Sequence, residues 1–215
     1  MSILVRRINI GMWKDYCASA TCFKPLISVL FSYPKYNAPG DIITNALNTS
    51  GDALSFWKID DKSKINDAIL AMCTGTTQSN VGTIYYVLFD EKELNLKGIE
   101  IVQSTEDANT AILELKQLHH NMKNISYYTL GRLQDLIVEK IKSGEEQKLT
   151  KGDIKPLIKQ KITEGKIDYS LLSNDYLRHL RDDFKDLKDR IPERLERMIT
   201  CPNCSTVFGV QIKES

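Results

Sequence analysis

The sequence lacks a long hydrophobic segment. Its apolar runs stay well below the roughly 20 residues that a membrane-spanning helix requires. The first apolar run is interrupted by Arg6 and Arg7 and is followed by no small-residue cleavage site, which argues against a signal peptide. We therefore expect a cytoplasmic protein with no membrane contact.

An excess of charge of either sign is also missing. The chain has 29 lysines and arginines against 28 acidic residues, a formal net charge of +1. No global field therefore attracts it to nucleic acid or to an anionic surface. Its five cysteines, in a chain of 215 residues without an apparent signal peptide, are typical of reduced thiols in the cytosol.

Familiar catalytic motifs are absent from the sequence. The segment Thr74–Thr77 lacks both the lysine and the second glycine of a phosphate-binding loop. Neither a GxSxG elbow nor an HExxH motif occurs. The three histidines, His119, His120 and His179, lie in no recognisable catalytic context. These absences favour a non-catalytic protein.

What the sequence does contain is a strand–helix–strand pattern. The segment Ala53–Asp90 places one amphipathic stretch between two runs rich in aromatic and β-branched residues. Strands are also predicted at Ile3–Ile10 and Ile99–Gln103. The pattern predicts an α/β domain with a mixed sheet of about four strands and crossover helices.

The strand pattern stops near residue 104, and helical spacing of apolar residues follows. Thr150 and Ser173 are predicted N-caps, and the helix after Ser173 is predicted to be the longest, extending from Asn174 to Ile191. We divide the chain into an α/β domain (1–104), a connecting segment (105–126), an α-helical domain (127–200) and a tail (201–215).

Four carboxylates follow the two most convincing strands. They are Asp60, Asp61, Asp90 and Glu91. Open α/β sheets bind ligands at the carboxyl ends of their strands, and paired acids at such a position can hold Mg²⁺. Capping of the helices that follow explains the same residues and is the preferred interpretation. A metal-dependent enzyme acting on nucleic acid is thus an alternative function.

The CPNC sequence that begins at Cys201 and ends at Cys204 is the strongest local chemical signal. This spacing allows two thiolates to bind one tetrahedral Zn²⁺. Cys17 and Cys22 are the candidate partners within the chain, and His179 is a more remote one. A second copy of the chain is the other source of ligands, which would make zinc a link within a homo-oligomer. The remaining interpretation is a reduced pair without metal.

Basic residues in the helix after Thr150 raise a third possibility. Lys155, Lys159 and Lys161 lie in a segment similar to one helix of a helix-turn-helix module, where they would contact phosphates. Acidic residues interrupt this charge, so a solvated helix face is the preferred interpretation. A DNA-binding module is retained as a further alternative.

Two groups of large apolar residues offer anchors for a protein partner. Aromatic anchors dominate many interfaces, and an amphipathic helix can dock through one apolar face. The residues concerned are Trp13, Trp57, Leu177, Leu180, Phe184 and Leu187.

The N-terminal part of the chain resembles a group of small uncharacterised bacterial proteins. The resemblance is carried by the VRRI sequence of residues 5–8, by Trp13 and by Leu54–Ile59, and it extends through the strand before Asp90 and the helix after Thr150. It implies a setting in mobile or defence-related gene clusters and assigns no catalytic residue. We therefore expect a non-catalytic accessory subunit that binds other proteins in a bacterial multi-gene system, such as anti-phage defence.

Overall fold

The computed structural model describes residues 2–18, 54–75, 77–123 and 125–193, and the backbone of two further strands. The strands are β1 (Ile3–Ile8), β2 (Ser55–Ile59), β3 (Ile84–Asp90), β4 (Ile101–Gln103), β5 (His119–Met122), β6 (Gln147–Leu149), β7 (Arg197–Thr200) and β8 (Val207–Val210). The α-helices are α1 (Ile10–Ala18), α2 (Ile65–Cys73), α3 (Glu91–Leu96), α4 (Tyr127–Lys142), α5 (Lys151–Thr163) and α6 (Asn174–Asp183).

Six strands form one sheet in the order β4-β5-β2-β1-β3-β6, and every neighbouring pair in it is antiparallel. Both β2 and β3 pair with β1, so they are parallel to each other, and α2 lies between them in the chain. The predicted α/β class and strand–helix–strand unit are confirmed. The predicted smaller, mixed sheet is wrong, because β5 and β6 join it from segments assigned to a connection and to a helical domain.

Helices cover both faces of this sheet, since successive side chains of a strand point to opposite sides. On one face, α2, α5 and α6 pack against Val5, Trp57 and Tyr86. On the other face, α1, α3 and α4 pack against Leu4 and Phe89. Both cores draw residues from the predicted α/β domain and from the predicted helical domain, so the two regions share one sheet.

Helix ends follow the local sequence closely. The hydroxyls of Thr150 and Ser173 accept hydrogen bonds from main-chain amides in the first turns of α5 and α6, which confirms both predicted N-caps. The helix after Ser173 is shorter than predicted. It ends at Asp183 because Phe184 adopts φ −123° and ψ 63°, after which Lys185–Arg190 forms a separate 3₁₀ helix.

None of the described helices has the length and apolar character to cross a bilayer. This finding agrees with the short apolar runs of the sequence.

Candidate functional site: an arginine-lined pocket at the end of the central strand

A cavity of about 600 Å³ lies where β1 ends and the chain enters α1. Its other walls come from the starts of β2, β3 and β5 and from the loop after α2. The polar side chains that line it are Arg6, Arg7, Asn9, Ser55, Thr77, Gln78, Thr83, Tyr85, Asn109 and His119. The described lining thus contains two guanidinium groups and no carboxylate, which makes it an electropositive cavity.

The two arginines reach the cavity from opposite faces of β1, because they are neighbours in a strand. Arg6 is 6% exposed; its Nη1 donates a 2.8 Å hydrogen bond to the carbonyl oxygen of Ser55, and its guanidinium carbon lies 5.4 Å from the ring centroid of Phe56. Arg7 is exposed and forms no ion pair with any carboxylate of the described residues. Arg7 is therefore the cation that an incoming ligand can reach.

The N-terminus of α1 opens onto the same cavity. Asn9 and Ile10 line it, and the Asn9 side-chain oxygen accepts from the main-chain amide of Met12 at 3.4 Å. The amide of Trp13 donates to the carbonyl oxygen of Asn9 at 3.1 Å. The start of an α-helix carries partial positive charge, so it reinforces the field of the arginines.

The loop after α2 forms a closely packed wall. A side-chain carbon added at Gly75 would lie 3.1 Å from the carbonyl oxygen of Asn109 and 3.3 Å from its Oδ1. The adjoining residues of the two segments are also in contact. The hydroxyls of Thr74 and Thr110 are 3.0 Å apart, and the amide of Ala111 donates to the Thr74 carbonyl at 2.8 Å. Glycine at position 75 therefore lets the two segments approach this closely without displacing Asn109.

His119 supplies a neutral imidazole to the lining. Its Nδ1 lies 2.7 Å from the carbonyl oxygen of Ser104, and it must carry the hydrogen because a carbonyl only accepts. Burial lowers the pKa of His119, outweighing the opposite effects of this hydrogen bond and of Asp107. The ring is therefore neutral at pH 7, and Nε2 keeps a lone pair.

A partly exposed polar network lies beside His119. Asp107 accepts hydrogen bonds from the hydroxyl of Ser104 and, at 2.8 Å, from Nδ2 of Asn121. The His119 ring also contacts Trp57 edge-on, with 5.0 Å between ring centroids. These contacts fix the orientation of the imidazole.

The predicted carboxylate group lies at the opposite end of the sheet. Asp61 accepts from the amide of Ser63 at 2.7 Å and Asp90 from the amide of Lys92 at 2.9 Å, so both cap helices. Glu91 pairs with Lys58 at 2.8 Å. Asp60 shares this end of the sheet, because Ile59, which precedes it, pairs with Ile3, as does Asp90. The capping interpretation of Asp61 and Asp90 is confirmed.

The predicted zinc ligands are placed only in part. Cys22, Cys201 and Cys204 lie outside the described residues, and Cys17, which belongs to α1, is half-buried against the core. Within the described ranges, no group of three or more His, Cys, Asp or Glu side chains is arranged to hold a metal ion.

The lysines predicted to contact DNA are held by carboxylates. Lys155 lies 2.8 Å from Asp183, Lys159 lies 2.6 Å from Asp186, and Lys161 lies 2.8 Å from Glu114. A phosphate would have to displace these partners. The DNA-binding interpretation stays a prediction that these contacts do not favour.

The predicted partner anchors belong to the interior. Trp13, Leu177 and Leu180 are fully buried, Trp57 and Phe184 nearly so, and Leu187 packs partly buried against the core. They pack within the sheet–helix layers and offer no exposed anchor for a protein partner, although Trp57 also lines the cavity.

Comparisons with models of protein families, with curated proteins and with solved structures find no match. The resemblance of the N-terminal part to small bacterial proteins therefore stays a prediction, and the candidate site is defined by its geometry alone.

Sequence reasoning did not identify the cavity. In the sequence, Arg6 and Arg7 stand out only as an interruption of the first apolar run and as part of the resemblance, and Thr74–Thr77 only as an incomplete phosphate-binding loop. One feature of the sequence could have indicated an anion site. Two arginines lie at the end of a predicted strand, and Asn9, a possible N-cap, follows them.

Proposed function

We propose that the protein is a non-catalytic binding protein that recognises a small anionic ligand in the pocket at the end of β1. The observation that carries this proposal is the lining itself, in which Arg6 and Arg7 face a cavity of about 600 Å³ that has no carboxylate among its described lining residues. That size is within the range of small-molecule sites.

Electrostatics favours an anion over a neutral ligand. Guanidinium groups bind phosphate and carboxylate through paired, charge-assisted hydrogen bonds. Arg6 is fixed by Ser55 and by the Phe56 ring, so it contributes charge without needing to be ordered on binding. Arg7 is exposed, so its guanidinium can form the direct hydrogen bonds to the anion.

The lining supports binding more than catalysis. His119 is the one described lining side chain whose ordinary pKa lies near neutrality. Cys73, the thiol at the end of α2, is buried, and burial raises its pKa to about 12, outweighing the opposite effect of the Arg7 charge. Its thiolate is therefore negligible at neutral pH, and the described lining of the cavity contains no cysteine.

Binding of inorganic phosphate and pyrophosphate, measured by isothermal titration calorimetry, tests this function. We expect Arg7→Gln to weaken pyrophosphate binding by about tenfold or more, the loss of a charge-assisted hydrogen bond. Arg178→Gln is the matched control, because Arg178 is an exposed arginine of α6 that pairs with Asp175 at 2.6 Å. Equal affinities of both variants would remove the basis of the proposal.

A second candidate, the accessory subunit of a multi-protein system, is favoured by one exposed surface. Leu96 is 85% exposed at the end of α3, and Tyr128 is 46% exposed at the start of α4. Arg132 joins them, since it donates to the carbonyl oxygen of Lys97 at 2.6 Å and its guanidinium carbon lies 3.9 Å from the Tyr128 ring centroid. Exposed aromatic and arginine side chains are typical of interfaces.

This role is tested with the products of neighbouring genes. Co-purification of a neighbouring gene product that is lost with Leu96→Glu, and retained with Leu113→Glu, would support it. Leu113 is a matched control, because it is also an exposed leucine, at 53%, in a different part of the surface. Retention of the partner with both variants would reject this surface as its docking site.

A further inference from the structure

Three kinds of chemistry lie in one row across the sheet at the pocket. Trp57 pairs directly with His119 on β5 and with Val5 on β1, and Arg7 lies two residues beyond Val5 on the same face. The row therefore runs from a cation, past an aromatic side chain, to an imidazole. Its ends are two strands apart across the sheet and two residues apart along the strands, about 12 Å between backbones before the side chains extend.

At one end of this row, the imidazole of His119 can accept a hydrogen bond from a ligand. Nδ1 of His119 is committed to the carbonyl oxygen of Ser104, and Nε2 lies on the other edge of the ring. A neutral imidazole with its hydrogen on Nδ1 accepts a hydrogen bond at Nε2. A simple anion leaves this acceptor unused, whereas a ligand with an N–H or O–H group satisfies it.

Amide side chains extend the same chemistry along the wall. Asn109 and Gln78 both line the cavity, and the side-chain amide of Gln78 carries both a donor and an acceptor. Trp57 and Met72 add apolar surface to the same lining. A flat, polar-edged ring would find an apolar surface and hydrogen-bonding groups in one place.

We propose that the anionic ligand is a nucleoside monophosphate, with its phosphate at Arg7, its base against Trp57, and an N–H of the base donated to Nε2 of His119. This inference rests on the proposed anion-binding function and specifies its ligand. Arg7, Trp57 and His119 follow one another across the sheet. The phosphate, the face of the base and the edge of the base follow one another in the same order in the nucleotide.

Calorimetric titration of the full chain with the four common nucleoside monophosphates, ribose 5-phosphate, inorganic phosphate and the free nucleosides tests the inference. We expect at least one nucleotide to bind tenfold or more tightly than ribose 5-phosphate and than its own nucleoside. Arg7→Gln should remove the advantage of the nucleotide over the nucleoside.

Two variants of His119 separate a ligand contact from a packing role. His119→Phe keeps an aromatic ring beside Trp57 and removes the acceptor, so it should bring the nucleotide down to the affinity of ribose 5-phosphate. His119→Gln keeps an acceptor and should restore part of the preference. Thermal melts show whether either variant has lost its fold.

Tryptophan fluorescence gives an independent readout, because the chain has only two tryptophans and Trp13 lies in the core on the other face. In a Trp13→Phe background, the nucleotide should change the emission of Trp57 and inorganic phosphate should not. Equal affinity for nucleotide and ribose 5-phosphate would overturn the nucleotide inference and leave the anion pocket standing. A nucleoside that binds as tightly as its nucleotide, or no binding by any probe at millimolar concentration, would overturn both.

Discussion

The hydroxyl of Tyr176 donates a hydrogen bond of 2.8 Å to the main-chain carbonyl oxygen of Cys73. Tyr176 belongs to α6 and is fully buried, while Cys73 is the last residue of α2. The end of an α-helix leaves carbonyls without a helical partner, and this bond satisfies one of them. The two residues are 103 positions apart in the sequence, so the bond joins α6 to the end of α2. It thereby helps to hold the loop after α2, which forms a wall of the pocket.

Tyr176→Phe removes this bond and leaves the Cys73 carbonyl buried without its tyrosine donor. We expect the free energy of unfolding to fall by about 1–2 kcal/mol, measured by urea denaturation. Tyr169→Phe is the matched control, because the Tyr169 hydroxyl makes no hydrogen bond within the described residues. An equal effect of the two substitutions would mean that the Tyr176 bond contributes nothing to stability.

The two adjacent histidines of β5 predict a loss of stability in mild acid. Burial lowers the pKa of both His119 and His120 in the folded state. The unfolded chain therefore binds protons more readily as pH falls below about 6.5, the ordinary pKa of histidine. Stability should be constant above that pH, fall below it, and level off once pH is lower than the folded-state values.

Denaturation curves at closely spaced pH values between 7.5 and 5 measure this slope. The wild-type slope should shrink in His119→Gln and shrink further when His120→Gln is added. A wild-type protein whose unfolding free energy is independent of pH across that window would contradict the lowered values.

Local patterns explain why much of the fold was predictable. Thr150 and Ser173 cap helices through contacts within the next three residues, so the sequence around each contains the needed information. The apolar run of β3 is similarly readable, because a strand buried on both faces needs few polar residues.

Non-local pairing explains what was missed. The β5 sequence, His-His-Asn-Met, has weak strand character and becomes a strand because it lies between β2 and β4. The short, polar β6 is likewise ordered by pairing with β3. The pocket combines Arg7 and His119 from distant parts of the chain, and their proximity follows from that strand order.

Ion pairs on α5 make a prediction about the DNA-binding interpretation. Lys155→Met breaks the contact with Asp183 and should lower the free energy of unfolding by up to about 1 kcal/mol, since both side chains are partly exposed. Duplex DNA affinity, measured at several salt concentrations, should not change.

Lys185→Met is the control for that experiment, because Lys185 is exposed and forms no ion pair within the described residues. A salt-dependent affinity for duplex DNA that falls with Lys155→Met but not with Lys185→Met would restore the DNA-binding interpretation.

The CPNC sequence makes a prediction about metal content. Strands β7 and β8 form an antiparallel pair in which Thr200 lies opposite Val207, and Cys201 and Cys204 lie between these two residues in the sequence. Zinc knuckles require two closely spaced thiolates of this kind. Native mass spectrometry of protein purified without chelator should detect bound zinc that is lost in the Cys201→Ser/Cys204→Ser variant, and a zinc-dependent dimer if a second copy completes the site.

Cys17→Ser distinguishes the two sources of the remaining ligands. If Cys17 contributes within the chain, this variant should also lose zinc, whereas a site completed by a second copy should keep it. If the wild-type protein is a monomer without metal, the prediction that Cys201 and Cys204 bind zinc is wrong.

The contact between Gly75 and Asn109 makes the most specific prediction about the pocket. Gly75→Ala places a methyl group 3.1 Å from the Asn109 carbonyl oxygen and 3.3 Å from its Oδ1, so the Asn109 segment must move. Because Asn109 lines the cavity, we expect anion or nucleotide affinity to fall by about tenfold, the equivalent of one hydrogen bond, with a stability loss of about 1 kcal/mol.

Gly82→Ala provides the comparison, because its added carbon would meet only Oδ1 of Asn80, at an ordinary distance of 3.8 Å. Calorimetry of both variants separates an effect on the pocket from a general effect of adding a methyl group to a loop. Unchanged affinity in Gly75→Ala, together with wild-type affinity in Gly82→Ala, would mean that the ligand does not contact the Asn109 wall. Recognition would then rest on the other lining groups, above all on the arginines, which belong to β1 and not to this loop.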